Sequence, residues 1–283
     1  MERLHPITAF VYFLLVISFA ITLLHPLLLP VSLAAAVSCV ILRRGRSALR
    51  FLLGLCLPMA LLSALINPLV NHRGATILFY LGRNAITGES LLFGLMAGAM
   101  LASVLCWFDL AVAVLDNEKL IYLFSRSAPA LALLLSLTLR FLPLYRRQMT
   151  AIREARAGAG FGAEATRRGR LTEAGHIFQA MLSWSLESAL ETADSMRARG
   201  YGSGKRSNFH VFRFDARDRN ILLLLILLAA LLLAGALRGC FSYAYFPVVS
   251  WAAATPLFYT AAAAYLVLCF LPLFWLRRNH AKF

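Results

Sequence analysis

Six stretches of the chain carry almost no charge: residues 7–24, 26–42, 51–70, 91–112, 221–237 and 256–276. Each is about long enough, as a helix, to cross the roughly 30 Å hydrocarbon layer of a bilayer. The clearest is 221–237, built only of Ile, Leu, Ala and Gly. In the fourth run Gly94 and Gly98 stand four apart, a spacing that allows two helix backbones to approach closely, although the bare motif is weak and simple tolerance of small residues is the preferred reading. The first run is not read as a cleaved signal peptide, because one Arg and one Glu precede it and a second apolar run follows directly.

Between the fourth and fifth runs the pattern changes. Residues 113–220 are far more than a connection needs. Residues 116–127 are short and mixed, and predict an amphipathic helix. An apolar stretch follows at 128–145, becoming basic at Arg146, Arg147 and Arg153. A helix is predicted over 144–156, stopping at Gly158-Ala159-Gly160-Phe161-Gly162. A basic connection, 163–170, leads into a second helix over 171–199, which stops at Gly200-Tyr201-Gly202-Ser203-Gly204. The expected organisation is therefore all-α: membrane helices in 1–112, a cytoplasmic helical insert in 113–220, and two further membrane helices with a tail in 221–283.

Composition agrees. The chain is 60% hydrophobic and 14% charged, against about half and about a quarter in soluble domains, and its mean hydropathy is +0.73. A disordered chain, a coiled coil and a small secreted scaffold are excluded. The formal charge of +15 then has to be placed. If the six runs alternate sides, one side holds Arg3, the loop with Arg43, Arg44, Arg46 and Arg50, and the tail with Arg277, Arg278 and Lys282. The other side holds Arg73, Arg83 and Arg238. The positive-inside bias makes the first side cytoplasmic, in the cell (inner or plasma) membrane, with both termini there. The insert carries 17 of the 28 Lys+Arg but also ten of the 13 acids, so it is not a polycation for nucleic acid. Counting 128–145 as a seventh crossing would turn the basic tail outward and place Arg140 deep in hydrocarbon, at about 2.5–3.5 kcal/mol. The expected position is along the inner face of the membrane or beneath the bundle.

Candidate chemistry is sparse. Cys39, Cys56, Cys106, Cys240 and Cys269 lie in or beside apolar segments without a Cys-x-x-Cys spacing, and the six His are scattered, so no metal site is expected. Asp109 is the sole acid within the runs, near the expected inner end of the fourth, where a paired or solvated structural role competes with a functional one. Ser63 and Ser103 have no His or paired acid for an intramembrane enzyme. Pro58 interrupts the third run, but a stand-alone secondary transporter needs more polar groups than are there. No Gly-x-x-x-x-Gly-Lys-Ser/Thr stretch is present, so ATP hydrolysis by the chain itself is not expected.

The two insert helices end alike. The first ends Ala155-Arg156-Ala157-Gly158, the second Ala198-Arg199-Gly200, with the Ala-Arg pairs 43 residues apart. A glycine cap with a basic last turn explains either end singly. Two such ends on one loop suggest a pair of partner sites, since an Arg at a helix tip suits a carboxylate in a groove and the neighbouring Ala permits close approach.

These residues, together with the stretch from Asn67-Pro68-Leu69-Val70-Asn71 through Gly74-Ala75-Thr76 to Tyr80-Leu81-Gly82 and the large insert, resemble the transmembrane T component (EcfT) of energy-coupling factor transporters, ABC-type importers of vitamins and metal ions. The resemblance covers nearly the whole chain. The family's Ala-Arg-Gly motif matches fully at Ala198, Arg199 and Gly200, and departs in the third position at Ala155, Arg156 and Ala157. It implies a non-enzymatic scaffold that binds two ABC ATPase subunits through these helix ends and a substrate-binding S component in the membrane. ATP and Mg would then sit on the partners, with no cofactor on this chain. Motion of the two helices, carried by 128–145, would couple ATP hydrolysis to uptake.

Overall fold

The structure, a computed structural model, describes residues 4–71, 74–81, 84–161, 166–204, 212, 214–246, 250–251 and 255–280. Arg3, His72, Arg73, Gly82, Arg83, Gly162, His210 and Lys282, and residues 163–165 of the basic connection, lie outside them. The chain divides into two units, residues 1–119 with 212–283, and residues 120–211.

The first unit is a helix bundle. Helix α1 (Pro6–Thr22) starts where Pro6 needs no N–H partner, and His5 caps it, its Nδ1 accepting from the Ile7 N–H at 3.3 Å. Helix α2 (Leu28–Arg44) stops at Gly45, whose φ of 55° a side chain would resist. Helices α3 (Ser47–Phe51) and α4 (Leu57–Val70) run together through one wide π turn at Leu52–Cys56. That turn directly precedes Pro58, whose ring and missing N–H disrupt the regular ladder there. After α4 comes a hairpin, with β1 (Ile77–Leu81) antiparallel to β2 (Asn84–Thr87). Helices α5 (Gly88–Val114), α9 (Ala216–Leu237) and α10 (Pro256–His280) complete the bundle, with two two-residue strands, β3 (Tyr243–Ala244) and β4 (Ser250–Trp251), between the last two.

The ends of these helices gather on two faces. On one, the His5 N–H donates to Asp218 Oδ1 at 3.2 Å, joining the start of α1 to the start of α9. Asp109 near the end of α5 pairs with both Arg43 and Arg44 at the end of α2. On the other, the Tyr245 hydroxyl donates to the Leu24 carbonyl at 2.7 Å, and the His25 ring meets Tyr243. Six helical segments therefore traverse the unit in alternating directions, matching the six apolar runs. The core between them centres on Trp107, Tyr12, Tyr265 and Leu268, all almost fully buried. Several polar atoms inside it are satisfied in place. Trp107 Nε1 donates to Ser32 Oγ at 3.0 Å, Ser32 and Ser103 share a bond of 2.9 Å, and the Tyr12 hydroxyl donates to the Leu268 carbonyl.

Two details alter the expectations. Gly94 and Gly98 face α4 at contact distance: a Cβ on Gly94 would lie 2.8 Å from the Ala64 carbonyl oxygen, and one on Gly98 would overlap that of Ala60. The glycine spacing is thus a packing device. Asp109 is paired, with Arg44 also lying over the Phe51 ring at 4.8 Å. Asp109→Ala leaves two guanidinium groups without their carboxylate. Because both guanidinium groups stay partly solvated, the expected loss is about 1 kcal/mol, read as earlier thermal unfolding in detergent than for the parent chain.

The second unit is formed by most of α6 (Asn117–Ser127), with α7 (Pro129–Gly158) and α8 (Arg167–Ala198). The apolar stretch 128–145 and the basic helix expected after it are one continuous helix, α7, which carries Pro143 within it. Pro143 forfeits one ladder bond, but four turns of Leu- and Ala-rich helix before it and a basic, helix-favouring segment after it hold the helix together. Helix α8 begins before the expected Leu171, because Thr166 has the extended backbone of an N-cap and the arginines after it are good helix formers. Helices α7 and α8 are antiparallel: Arg156 pairs with Glu173, and eleven residues back along α7, Tyr145 meets Trp184, eleven residues forward along α8, with ring centroids 5.4 Å apart.

Among the described residues five helices are long and apolar enough to cross a membrane: Ser47–Val70, Gly88–Val114, Pro129–Gly158, Ala216–Leu237 and Pro256–Leu273. Helices α1 and α2, at 17 residues each, span about 25 Å. The chain is an all-α polytopic membrane protein.

Candidate functional site

The sequence directs attention to the C-terminal ends of α7 and α8. Both close with the same backbone device. At α7 the Phe161 N–H reaches the Arg156 carbonyl at 2.9 Å and the Gly160 N–H reaches that of Ala157 at 3.1 Å, with Gly160 at φ 81°. At α8 the Tyr201 N–H reaches the Met196 carbonyl at 3.0 Å and the Gly200 N–H reaches that of Arg197 at 2.9 Å, with Gly200 at φ 73°. These are Schellman closures, which only a residue free of Cβ strain at the left-handed position makes easily. Each left-handed glycine is followed by an exposed aromatic, Phe161 or Tyr201.

Matching the two ends by their caps shifts the comparison the sequence suggests. Gly160 corresponds to Gly200, so Arg156 corresponds to Met196 and not to Arg199. Arg156 lies nearly one turn inside α7, whereas Arg199 is the C-cap residue of α8. Ala155, Ala157, Ala198 and Gly200 are all exposed. A third helix end has the same closure. At the end of α9 the Cys240 N–H reaches the Gly235 carbonyl, the Gly239 N–H reaches that of Ala236, and Arg238 is the C-cap. This Schellman closure with Arg-Gly at the cap occurs both at Arg199 and at Arg238, so capping alone does not mark a partner site.

The two arginines also differ in surroundings. Arg156 makes a two-pronged pair with Glu173 on α8, Nε to Oε1 and Nη2 to Oε2, both at 2.6 Å, and its guanidinium lies over the Phe161 ring at 5.3 Å. The Arg156 hydrogen bonds hold the Glu173 carboxyl below the ordinary carboxylate range. A group with a depressed pKa contributes above its unfolded value, so the pair is fully formed at neutral pH. It is lost as pH falls through the lowered Glu173 value. Arg199 is exposed, and no ion pair among the described residues involves it. Because α7 and α8 are antiparallel, Arg156 sits beside the beginning of α8 and Arg199 at its far end. The 26 residues from Glu173 to Arg199 correspond to about 39 Å of helix.

Sequence reasoning missed Glu173, which looks like one more acid on a mixed helix. The repeated Gly-aromatic-Gly just beyond each helix was the available signal for the true register of the two ends. The stretch that begins at Asn67 serves as a latch in the first unit. The Asn67 Nδ2 donates to the Ser90 carbonyl at 2.7 Å, and buried Glu89 accepts from the Thr76 hydroxyl at 2.8 Å. No group of three or more His, Cys, Asp or Glu able to hold a metal ion occurs among the described residues.

Comparison with known proteins bears on this arrangement. No curated protein matches the chain. Residues 1–211 match a family described as cobalt transport protein, CbiQ. That span contains the latch stretch, α7 and α8 with both of their ends. The chain is accordingly a component of a membrane transport system, and it belongs to the CbiQ/EcfT family of energy-coupling factor transporter T components.

Proposed function

We propose that this chain is the scaffold of an energy-coupling factor importer, coupling ATP hydrolysis by two bound ABC ATPase subunits to uptake through a separate S component of the vitamin or metal-ion class. The observation that carries the reading is the separation of two Arg-bearing, glycine-capped helix ends by about 39 Å of helix within one unit. One ATPase subunit docks at Ala155, Arg156 and Ala157, the other at Ala198, Arg199 and Gly200. A carboxylate in each partner groove meets the arginine. ATP-driven approach and separation of the ATPases then moves the two helices relative to each other, a change that requires different contacts in the two states.

Membrane placement supports this reading. The face carrying Arg43, Arg44 and the start of α9 is the cytoplasmic one, with both termini, by the positive-inside bias. The chain leaves the first unit after α5 and re-enters it at α9 on the same face, so residues 120–211 contain an even number of crossings. Helix α8 is too rich in charge to be one, and α7 therefore does not cross. Chemistry stays with the partners, which hold ATP and Mg, while this chain supplies position.

Tagged protein extracted in mild detergent should bring down nucleotide-binding subunits at two per chain, quantified by native mass spectrometry. A purified lone chain that moves substrate across a vesicle membrane by itself would refute the proposal.

A further inference from the structure

The two docking ends are not equivalent, and the difference lies in Glu173. Arg156 has five N–H donors, of which the Nε and Nη2 edge is taken by the two oxygens of Glu173. One face of its guanidinium is covered by the Phe161 ring, and only 26% of the side chain remains exposed. Its charge is neutralised within the same unit. The edge that Glu173 occupies is one of the two at which a carboxylate makes a two-pronged contact, the Nη1–Nη2 end being the other. Nothing comparable holds Arg199, which projects from the far end of α8 with its charge uncompensated by any ion pair among the described residues.

We propose that Glu173 is a built-in competitor for the first docking end, so that an ATPase carboxylate gains the Nε–Nη2 edge and the uncompensated charge of Arg156 only by displacing it, whereas the Arg199 end is open at all times. The inference rests on the docking role assigned to these ends. Assembly is then ordered. The first ATPase subunit settles on Arg199, steered by an unpaired charge. The second arrives at an end already satisfied from within, and its net gain is the partner contact minus the Glu173 contact. With side chains still 26% and 22% exposed, the pair is screened by solvent and holds by a small margin, so the closure can be exchanged. Displacement also has a mechanical result, because the Arg156–Glu173 pair joins α7 to α8. Docking at the first end unties the two helices just where the motor is to move them. Glu173 is thus a positioning residue, acting through Arg156, and the first end is the weaker and more readily exchanged of the two.

The test uses the whole complex, captured through the tagged chain in mild detergent, and follows how many nucleotide-binding subunits stay bound as salt rises. In the parent complex one subunit should leave before the other. Glu173→Gln, which keeps the shape but removes the charge, should slow loss of the earlier-leaving subunit by about twofold to fivefold and leave the other unchanged. Unchanged or faster loss of that subunit overturns the inference. The charge-exchanged pair Arg156→Glu with Glu173→Arg restores the link between helices without restoring an arginine at position 156. It should still lose the first subunit, and recovery of normal retention would show Arg156 to be an internal strut only. Arg199→Glu separates the two levels of the proposal. If it leaves retention of both subunits unaltered, the docking role itself fails. If it releases one subunit while Glu173→Gln changes nothing, only the competitor role fails.

Discussion

Arg199→Glu is expected to release one nucleotide-binding subunit and to abolish uptake while the chain still reaches the membrane at its normal level. Arg199 is exposed, caps the C-terminal end of α8, and has no internal carboxylate holding it. Three effects act together on reversal of its charge. A favourable pairing with a partner acid becomes a repulsion. The negative end of the helix dipole, stabilised by a cation by about 0.3–1 kcal/mol, now meets an anion. A carboxylate in the partner groove is left buried and unpaired, which at protein interfaces costs about 2–5 kcal/mol or more. The last alone corresponds to well over a tenfold loss of affinity. Capping and docking can be told apart because Arg238 ends α9 with the same closure. Arg238→Glu should leave subunit retention untouched. If the two variants behave alike in a co-purification assay, Arg199 is a cap and nothing more.

Much of the fold was legible because hydrocarbon imposes a simple rule on sequence. Six nearly uncharged runs, a basic side and one long mixed insert could be read directly, and six antiparallel segments and a separate helical unit are what the chain forms. What escaped had local causes. The change from apolar to basic residues near 145 set the apolar stretch apart from the helix expected over 144–156, yet both halves favour helix and α7 runs through, Pro143 included. The hairpin of β1 and β2 is too short, and too close to two apolar runs, for its aromatic and β-branched residues to stand out. The candidate site was visible as residue types but not as geometry. Two Ala-Arg pairs suggested matched tips, whereas the backbone aligns Gly160 with Gly200 and leaves the arginines three positions out of register. The contact between Arg156 and Glu173 depends on the antiparallel pairing of two long helices, which periodicity does not specify. Asp109 shows the opposite case. Its acidic side chain near a membrane face had two competing explanations, and Arg43 and Arg44 resolve them in favour of pairing.

Gly98→Leu is expected to have the largest effect of any single change in the bundle. Helices inside a membrane gain no hydrophobic advantage by leaving lipid for one another, so their association depends on close packing. Gly98 supplies that at one point, where even a Cβ would overlap the Ala60 carbonyl oxygen. The obstacle is backbone, which cannot swing aside as the tip of a side chain can. Adding four carbons must push α5 away from α4, and Gly94 one turn earlier, with its own allowance of 2.8 Å to the Ala64 carbonyl, is lifted with it. Overpacking of a rigid core typically costs about 1–3 kcal/mol, and the separation also forfeits dispersion contacts along both helices. The same displacement bears on the polar core, because Ser103, Trp107 and Asp109 all lie further along α5 and bond to Ser32, Arg43 and Arg44 on α2. Gly98→Leu should therefore yield little monodisperse protein by size-exclusion chromatography in detergent, whereas Leu95→Ala, on the exposed side of the same helix, should elute as the parent does. A Gly98→Leu chain that elutes and unfolds like the parent would show that α4 and α5 do not approach as closely as their glycines allow.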